Sequence, residues 1–409
     1  MPSNPARRDM IIVYNEGGYY MTDKFQIVGS LLRPEELLKY KKQIEHRDDI
    51  QYPFYENFEG YAECETEAIK EVVKKEIEHN LSVITDGEFS KSMWHLDFVW
   101  GFGGVERYIA DHGYFFRDVD GTSKYETRKD IGLRITGKLS GTNHHFIKLF
   151  KQLQDFAGDH QTKLCVPSPS HIFGELSWSD NIGGTDAVYQ NRQELKEGLV
   201  SAYREFVEEF AAAGGTILQF DDCLWELFAD DNPNSPFTGE HINQAEVQGL
   251  ATEFIELNNT LIDFGHSLGL KMWTHNCRGN YDSRNMGGGS YAKIANLFLK
   301  QLKYDRFFLE WDDERAGSIE ALEVFKDRPE TEIVLGLLSS KTNTLDDEAR
   351  VIRLLDEASK IIDKDRLLLS HQCGFASCDG GNELSEAEQW AKIDQGQRIA
   401  EQYWITKFE

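Results

Sequence analysis

The chain has 409 residues, 40% of them hydrophobic and 28% charged, and a formal net charge of −26 from 70 acidic against 44 basic side chains. That length suffices for one large domain or two ordinary ones, and an acidic field of this size argues against nucleic acid or anionic lipid as partner. No run approaches the roughly 18 apolar residues of a membrane span, the N-terminus lacks the apolar core of a signal peptide, and six cysteines in so long a chain do not suggest a disulfide framework, so the expected setting is cytoplasmic.

Taken in chain order, residues 1–21 read as a loose extension, with Met21 an alternative start, and residues 22–409 as a single domain. Strand-like apolar runs stand at 26–30 and 82–86, with a helical stripe of Ala68, Ile69, Val72, Val73 and Ile77 between them. Residues 101 to about 145 break the rhythm and are too long for a simple loop. They read as an insertion after the second strand, with a hairpin over 125–139, at the face where a catalytic pocket would open. Further runs follow at 163–167, 216–221, 270–275, 307–310, 333–336 and 367–370. Helical patterns lie between them, one over 193–213 that Gly214-Gly215 stops and one over 347–362. Near-continuous apolar runs suit strands buried on both faces, and eight of them alternating with helices predict an α/β fold, a (β/α)8 TIM barrel.

Three of these runs end in metal-ligand residues. Thr274-His275-Asn276-Cys277 follows the fifth, Leu309-Glu310 closes the sixth, and His371-Gln372-Cys373-Gly374 follows the eighth. Side chains at i and i+2 of a strand point the same way, so His275 and Cys277 can face one ion, with Glu310 and Cys373 arriving from other strands. Two thiolates, an imidazole and a carboxylate suit a zinc ion. Their combined charge makes the ion a poor generator of hydroxide and a good holder of a substrate thiolate, so alkyl transfer to sulfur is expected ahead of hydrolysis. A closed site with four protein ligands is also what structural zinc looks like.

Acidic pairs stand after two other strands, in Asp86-Gly87-Glu88-Phe89 and in Asp221-Asp222. They read either as helix caps and a solvated rim or as a carboxylate pocket for the ammonium of an amino-acid substrate. Ser30, just past the first strand, and Arg33 are candidate partners for that substrate's carboxylate. Trp94 and His95 either line the pocket or pack its rim, while His144, His145 and His171 fit no ligand spacing and read as surface or structural.

At these residues the chain resembles the cobalamin-independent methionine synthase family, as a short stand-alone counterpart of its C-terminal catalytic barrel. The resemblance runs from about Phe25 to the end through Val28-Gly29-Ser30, Asp86-Gly87-Glu88-Phe89, Leu218-Gln219-Phe220-Asp221-Asp222, Thr274-His275-Asn276-Cys277 and Gln372-Cys373-Gly374-Phe375. It implies a zinc site of His275, Cys277, Glu310 and Cys373, with homocysteine as the thiol held by Ser30, Glu88 and Asp221. The family's N-terminal barrel is absent. So is the histidine after strand seven that serves the folate donor, where this chain reads Gly336-Leu337-Leu338-Ser339-Ser340-Lys341-Thr342. The tryptophan that would stack on folate has Phe173 as its nearest counterpart, so Phe173 and Trp94 are the donor-side candidates. The expected partners are homocysteine and a methyl donor, either methyl-tetrahydrofolate or another. The other enzyme reading is a zinc-dependent alkyltransferase or lyase acting on a different small thiol, as in the epoxyalkane–coenzyme M transferases.

Overall fold

The strands that position the site are β1 (Val83–Ile84), β2 (Gln161–Thr162), β3 (Leu164–Pro167), β4 (Ile217–Asp221), β5 (Lys271–Asn276), β6 (Arg306–Glu310), β7 (Glu332–Leu338) and β8 (Leu367–His371). They are seen in a computed structural model that describes residues 13–14, 20–21, 23–53, 58–117, 124–179, 181–230 and 243–405. β3 to β8 form one parallel sheet in the spatial order β8-β7-β6-β5-β4-β3, and β1 pairs in parallel with β2. The result is a mixed α/β fold with parallel sheets. β2 continues into β3 through Lys163, whose N–H donates to Ile84 O at 3.1 Å.

The first expected strand, 26–30, makes no ladder of its own. Phe25 bridges to Leu369 of β8 in parallel, and Gln26 N–H donates to Leu369 O at 2.9 Å. Beyond that point side chains take over the backbone acceptors. Lys163 Nζ donates to Ile27 O and Val28 O at 2.7 Å each, Gln219 Nε2 to Val28 O at 3.0 Å and Thr85 Oγ1 to Gly29 O at 3.0 Å. Paired carbonyls have no need of a strand partner.

Val28, Val83, Ile217, Trp273, Phe308, Val334 and Leu368 form a separate buried cluster, one residue from each of seven runs. Above it sits the fully buried Lys163, with Nζ 4.7 Å from the Phe308 ring centroid. The opposite faces of the strands meet the helices. Helix Arg192–Ala212 buries Leu195, Leu199, Ala202, Phe206 and Phe210, the stripe its sequence predicts, and each large member contributes roughly 1.5–3 kcal/mol on burial. Gly214, at φ 87°, ends the run as expected of a residue without Cβ.

The insertion pairs differently from expectation. The two halves of the stretch 125–139 do not fold on each other: Lys124–Glu126 pairs antiparallel with Phe115–Arg117, and Gly132–Ser140 with Gly103–Tyr108. The longer pairing buries Ile131, Leu133, Ile135 and Leu139, and the Asp130 carboxylate between the halves is held by Arg107 and Arg128. The expected N-terminal extension lies outside the described residues, apart from Val13–Tyr14 paired antiparallel with Tyr20–Met21. Among the described residues no helix is long and apolar enough to cross a membrane.

Candidate metal centre

His275 is the penultimate residue of β5, Cys277 lies one residue past its end, Glu310 is the last residue of β6, and Cys373 lies two residues past β8. Parallel register brings these ends to one edge. Asp222 N–H donates to His275 O at 2.8 Å, Asn276 Nδ2 to Asp222 O at 2.9 Å, and Gln372 N–H to Leu338 O at 2.7 Å. The backbone of Gly374 runs so close to Ser30 that a Cβ there would overlap Ser30 Oγ. His275, Cys277, Glu310 and Cys373 are 2, 7, 1 and 4% exposed, and their candidate ligand atoms all lie within 4.8 Å of one another.

The donor set fits a cation. Cys277 Sγ and Cys373 Sγ are 3.7 Å apart. That is far beyond the roughly 2.05 Å of a disulfide. It is close to the about 3.8 Å between two sulfurs each 2.3 Å from a tetrahedral centre. His275 Nε2 stands 3.9 Å from Glu310 Oε1, and both His275 Nε2 and Glu310 Oε2 are buried without a hydrogen-bond partner. Arg278 N–H donates to Glu310 Oε1 at 3.0 Å and orients it. Burial pushes Glu310 up to about 7, against the pull of Lys341. The thiols are pushed up as well, Cys277 first by its contact with Cys223 and Cys373 first by Cys277. For Glu310 burial outweighs the pull of Lys341, Arg278 and Arg315, and an ion among the four would stabilise the charged forms of all of them.

A small cavity of about 20 Å³ adjoins this set, lined by Ser30, Glu88 and Asp221 together with His275, Cys277 and Cys373. Each acidic motif divides its labour. Asp86 caps the turn, accepting from Glu88 N–H at 2.8 Å and Ser90 Oγ at 3.0 Å, while Glu88 points to the cavity from a left-handed backbone at φ 59°. Such a conformation in a non-glycine residue is costly, and it is held by Arg33, whose guanidinium donates to Glu88 O at 2.8 Å. Asp222 is structural, accepting from Trp225 Nε1 at 3.1 Å and Ser170 Oγ at 2.8 Å, and Asp221 faces the cavity. Asp221 Oδ1 accepts from Gln219 Nε2 at 2.7 Å. Burial, and then the Glu88 carboxylate, push Asp221 up to about 7. Lys91 Nζ is 3.4 Å from Glu88 Oε1. Arg33 is not free for a substrate anion: it donates to the carbonyls of Ala376, Cys378, Glu88 and Lys91.

A larger cavity of about 270 Å³, walled by Trp94, Tyr114, Phe116, Trp178 and Tyr281 among others, shares Trp94, Cys223, Cys277 and Ser377 with the small one. Trp94 lines both cavities. Phe173 does not line the larger one: it is fully buried against Phe254 with Arg192 over its ring, and Trp178 from the same helix, Pro169–Trp178, reaches the cavity wall instead. Sequence reasoning missed Cys223, a third thiol in contact with Cys277, and gave His171 no role although it lines this cavity with His95 and Glu175. No spacing in the chain signals Cys223, whereas His171 and Glu175 stand four residues apart, the spacing of one helix face. His144 is structural as expected, its Nδ1 capping helix His145–Ala157 by accepting from Phe146 N–H at 3.1 Å.

No family model matches the chain. The uncharacterized Bacillus subtilis protein YxjH is 35% identical over 351 residues, covering 85% of this chain and 87% of that protein. Its fellow YxjG, also uncharacterized, is 33% identical over 380 residues, covering 92 and 93%. Among solved structures, a Listeria monocytogenes protein provisionally assigned as a vitamin-B12-independent methionine synthase is 29% identical with a TM-score of 0.66, covering 93% of this chain and 97% of that one. A B12-independent methionine synthase from Shewanella sp. W3-18-1, solved with selenomethionine, shares the fold at 18% identity, with a TM-score of 0.65 and the same coverage.

Proposed function

The chain belongs to the family of the Bacillus subtilis proteins YxjH and YxjG, and from that premise we propose that it is a zinc-dependent S-methyltransferase that converts homocysteine to methionine. The observation that carries this reading is the position of Cys277. It belongs to a four-ligand metal set and also to the wall between a small carboxylate-lined cavity and a larger aromatic one. A thiol entering from one side and a methyl donor from the other would meet there. The likeness to the Listeria protein supports the same chemistry. We read the parallel strands and their enclosed apolar cluster as a (β/α)8 barrel of residues 22–409, with residues 101–145 inserted after its second strand.

His275, Cys277, Glu310 and Cys373 would hold the zinc ion, which when bound supplies a Lewis acid that lowers the pKa of a thiol beside it. The residues of the small cavity set the orientation of the amino acid. Asp221 and Glu88 accept from its ammonium, and Ser30 Oγ donates to its carboxylate. Buried carboxylates this close repel each other, and a cationic ligand relieves both. Trp94, which lines both cavities, would shield the reacting sulfur from water. The sulfur electron pair forms the new bond to the methyl carbon, and the donor leaves with the pair from the broken one. The aromatic wall of the larger cavity suits a donor with a flat or apolar body.

A donor screen tests this directly. Purified zinc-loaded protein is given homocysteine with methyl-tetrahydrofolate, methylcobalamin or small S-methyl compounds in turn, and methionine is measured. Turnover with any one supports the reading. Absence of methionine with all of them, from protein that retains its zinc, contradicts it.

A further inference from the structure

The larger cavity carries a second group of ligand side chains outside the thiol-rich centre. His171 and Glu175 lie one turn apart on helix Pro169–Trp178, a spacing that places both on one face. His95, just before helix Leu96–Trp100, faces them from the segment that follows β1. The ligand atoms of all three lie within 4.8 Å of one another, and His95 Nε2 is 3.4 Å from Glu175 Oε2. Two ligands about 2.1 Å from a common ion lie about 3.0–3.4 Å apart in octahedral or tetrahedral geometry. His95 Nδ1 and both ring nitrogens of His171 are buried without a hydrogen-bond partner. Buried polar atoms normally have one, so the orphaned ring of His171, one nitrogen of which an ion would take, points to something that binds there, while His95 offers the Nε2 that also reaches Tyr114 Oη at 3.3 Å.

We propose that His95, His171 and Glu175 form a second metal site, for a divalent first-row transition ion, on the wall of the larger cavity. Two imidazoles and one carboxylate suit Zn, Fe(II) or Co(II), and three ligands leave further positions open. Because all three residues line the cavity, those positions face its interior. The carboxylate is oriented as metal-binding carboxylates usually are, by a donor behind it: Tyr114 Oη donates to Glu175 at 2.9 and 3.1 Å. Trp94 packs against both imidazoles, with ring centroids 4.7 and 4.9 Å away, and limits their rotation. The role of such an ion, taking a nitrogen or oxygen atom of the second substrate, rests on the reading of this cavity as the donor's. Metal binding itself does not.

Cobalt(II) titration of the full metal-free chain separates the two sites, because only thiolate ligands give intense sulfur-to-cobalt charge-transfer absorption. The proposal expects two equivalents per chain, one with that band and one showing only weak ligand-field absorption. His171→Ala should abolish the second and spare the first, and Cys277→Ser with Cys373→Ser should do the reverse. A single equivalent in the wild type overturns the proposal, as does a second equivalent that persists in both His171→Ala and Glu175→Gln. If His171→Ala loses the charge-transfer band as well, Glu175→Gln, which keeps the volume of the side chain, decides by the same two signals. Failure at the thiol-rich centre alone would remove the charge-transfer band and leave the ligand-field signal, so the two readings fail separately.

Discussion

Asp221→Asn removes a charge and almost nothing else. The retained Oδ1 still accepts from Gln219 Nε2, now 2.7 Å away, so the β4 end keeps its geometry. What is lost is one charge-assisted hydrogen bond to the substrate ammonium in a site where Asp221 is 8% exposed. A bond of that kind is worth roughly 1.5–3 kcal/mol, or about ten- to a hundredfold in kcat/KM. Because Asp221 sits at about 7 in the free protein, ionising it fully for a ligand at pH 7 costs only about 0.4 kcal/mol, so most of that energy is available. The sign of the pH dependence follows: the ionised form binds the ammonium, so selectivity falls as pH drops below about 7. The assay compares kcat/KM for homocysteine and for its des-amino analogue across pH 6–8. Wild type should favour homocysteine, by a ratio that falls below neutrality. The variant should lose homocysteine activity ten- to a hundredfold, keep its rate with the analogue, and show a flat ratio. Equal losses for both thiols would refute the reasoning and make Asp221 a structural residue.

Cys373→Ser should leave the purified protein with well under one equivalent of metal at the thiol-rich centre and an unchanged circular-dichroism spectrum, because the ligands hang from a large preformed core. Full metal occupancy in the variant, measured by elemental analysis, would remove Cys373 from the set. Glu76 tests the buried polar network. Thr85 N–H donates to Glu76 Oε2 at 2.8 Å, and Thr85 Oγ1, 2.7 Å from Oε1, also reaches Gly29 O at 3.0 Å, so a protonated Glu76 completes the chain of donors. Burial pushes Glu76 up to about 8, so its contribution is complete below the unfolded value of about 4.3 and is lost as pH rises through 8. Glu76→Gln mimics the protonated form and should match wild type in thermal stability near pH 4. It should exceed wild type increasingly toward pH 8, by at most about 1.4 kcal/mol per pH unit. Parallel melting curves at all pH values would show that Glu76 is ionised when folded.

The strand ends were legible because a strand buried on both faces is an apolar run whose stop is visible, and β4 to β8 begin and end within about two residues of those stops. The metal set followed, since four ligand residues stand at three such stops. The first strand was legible as apolar but not as unpaired, because its acceptors are taken by Lys163 and Gln219 from remote positions. The stretch 125–139 alternates like a hairpin, and alternation names a buried face without naming the partner that covers it. Phe173 and Trp178 share a short helix, and only packing decides which of them meets the core. The His95–His171–Glu175 group joins residues from two segments that the fold alone brings together.

X-ray absorption at the zinc edge, on protein with the metal bound, tests the central claim most directly. The claim is that a substrate thiol is recognised at the centre formed by His275, Cys277, Glu310 and Cys373. Two sulfur neighbours are expected without substrate and three on saturation with homocysteine, with the added one absent for the corresponding alcohol, homoserine. A metal shell that stays at two sulfurs under saturating homocysteine would contradict the account.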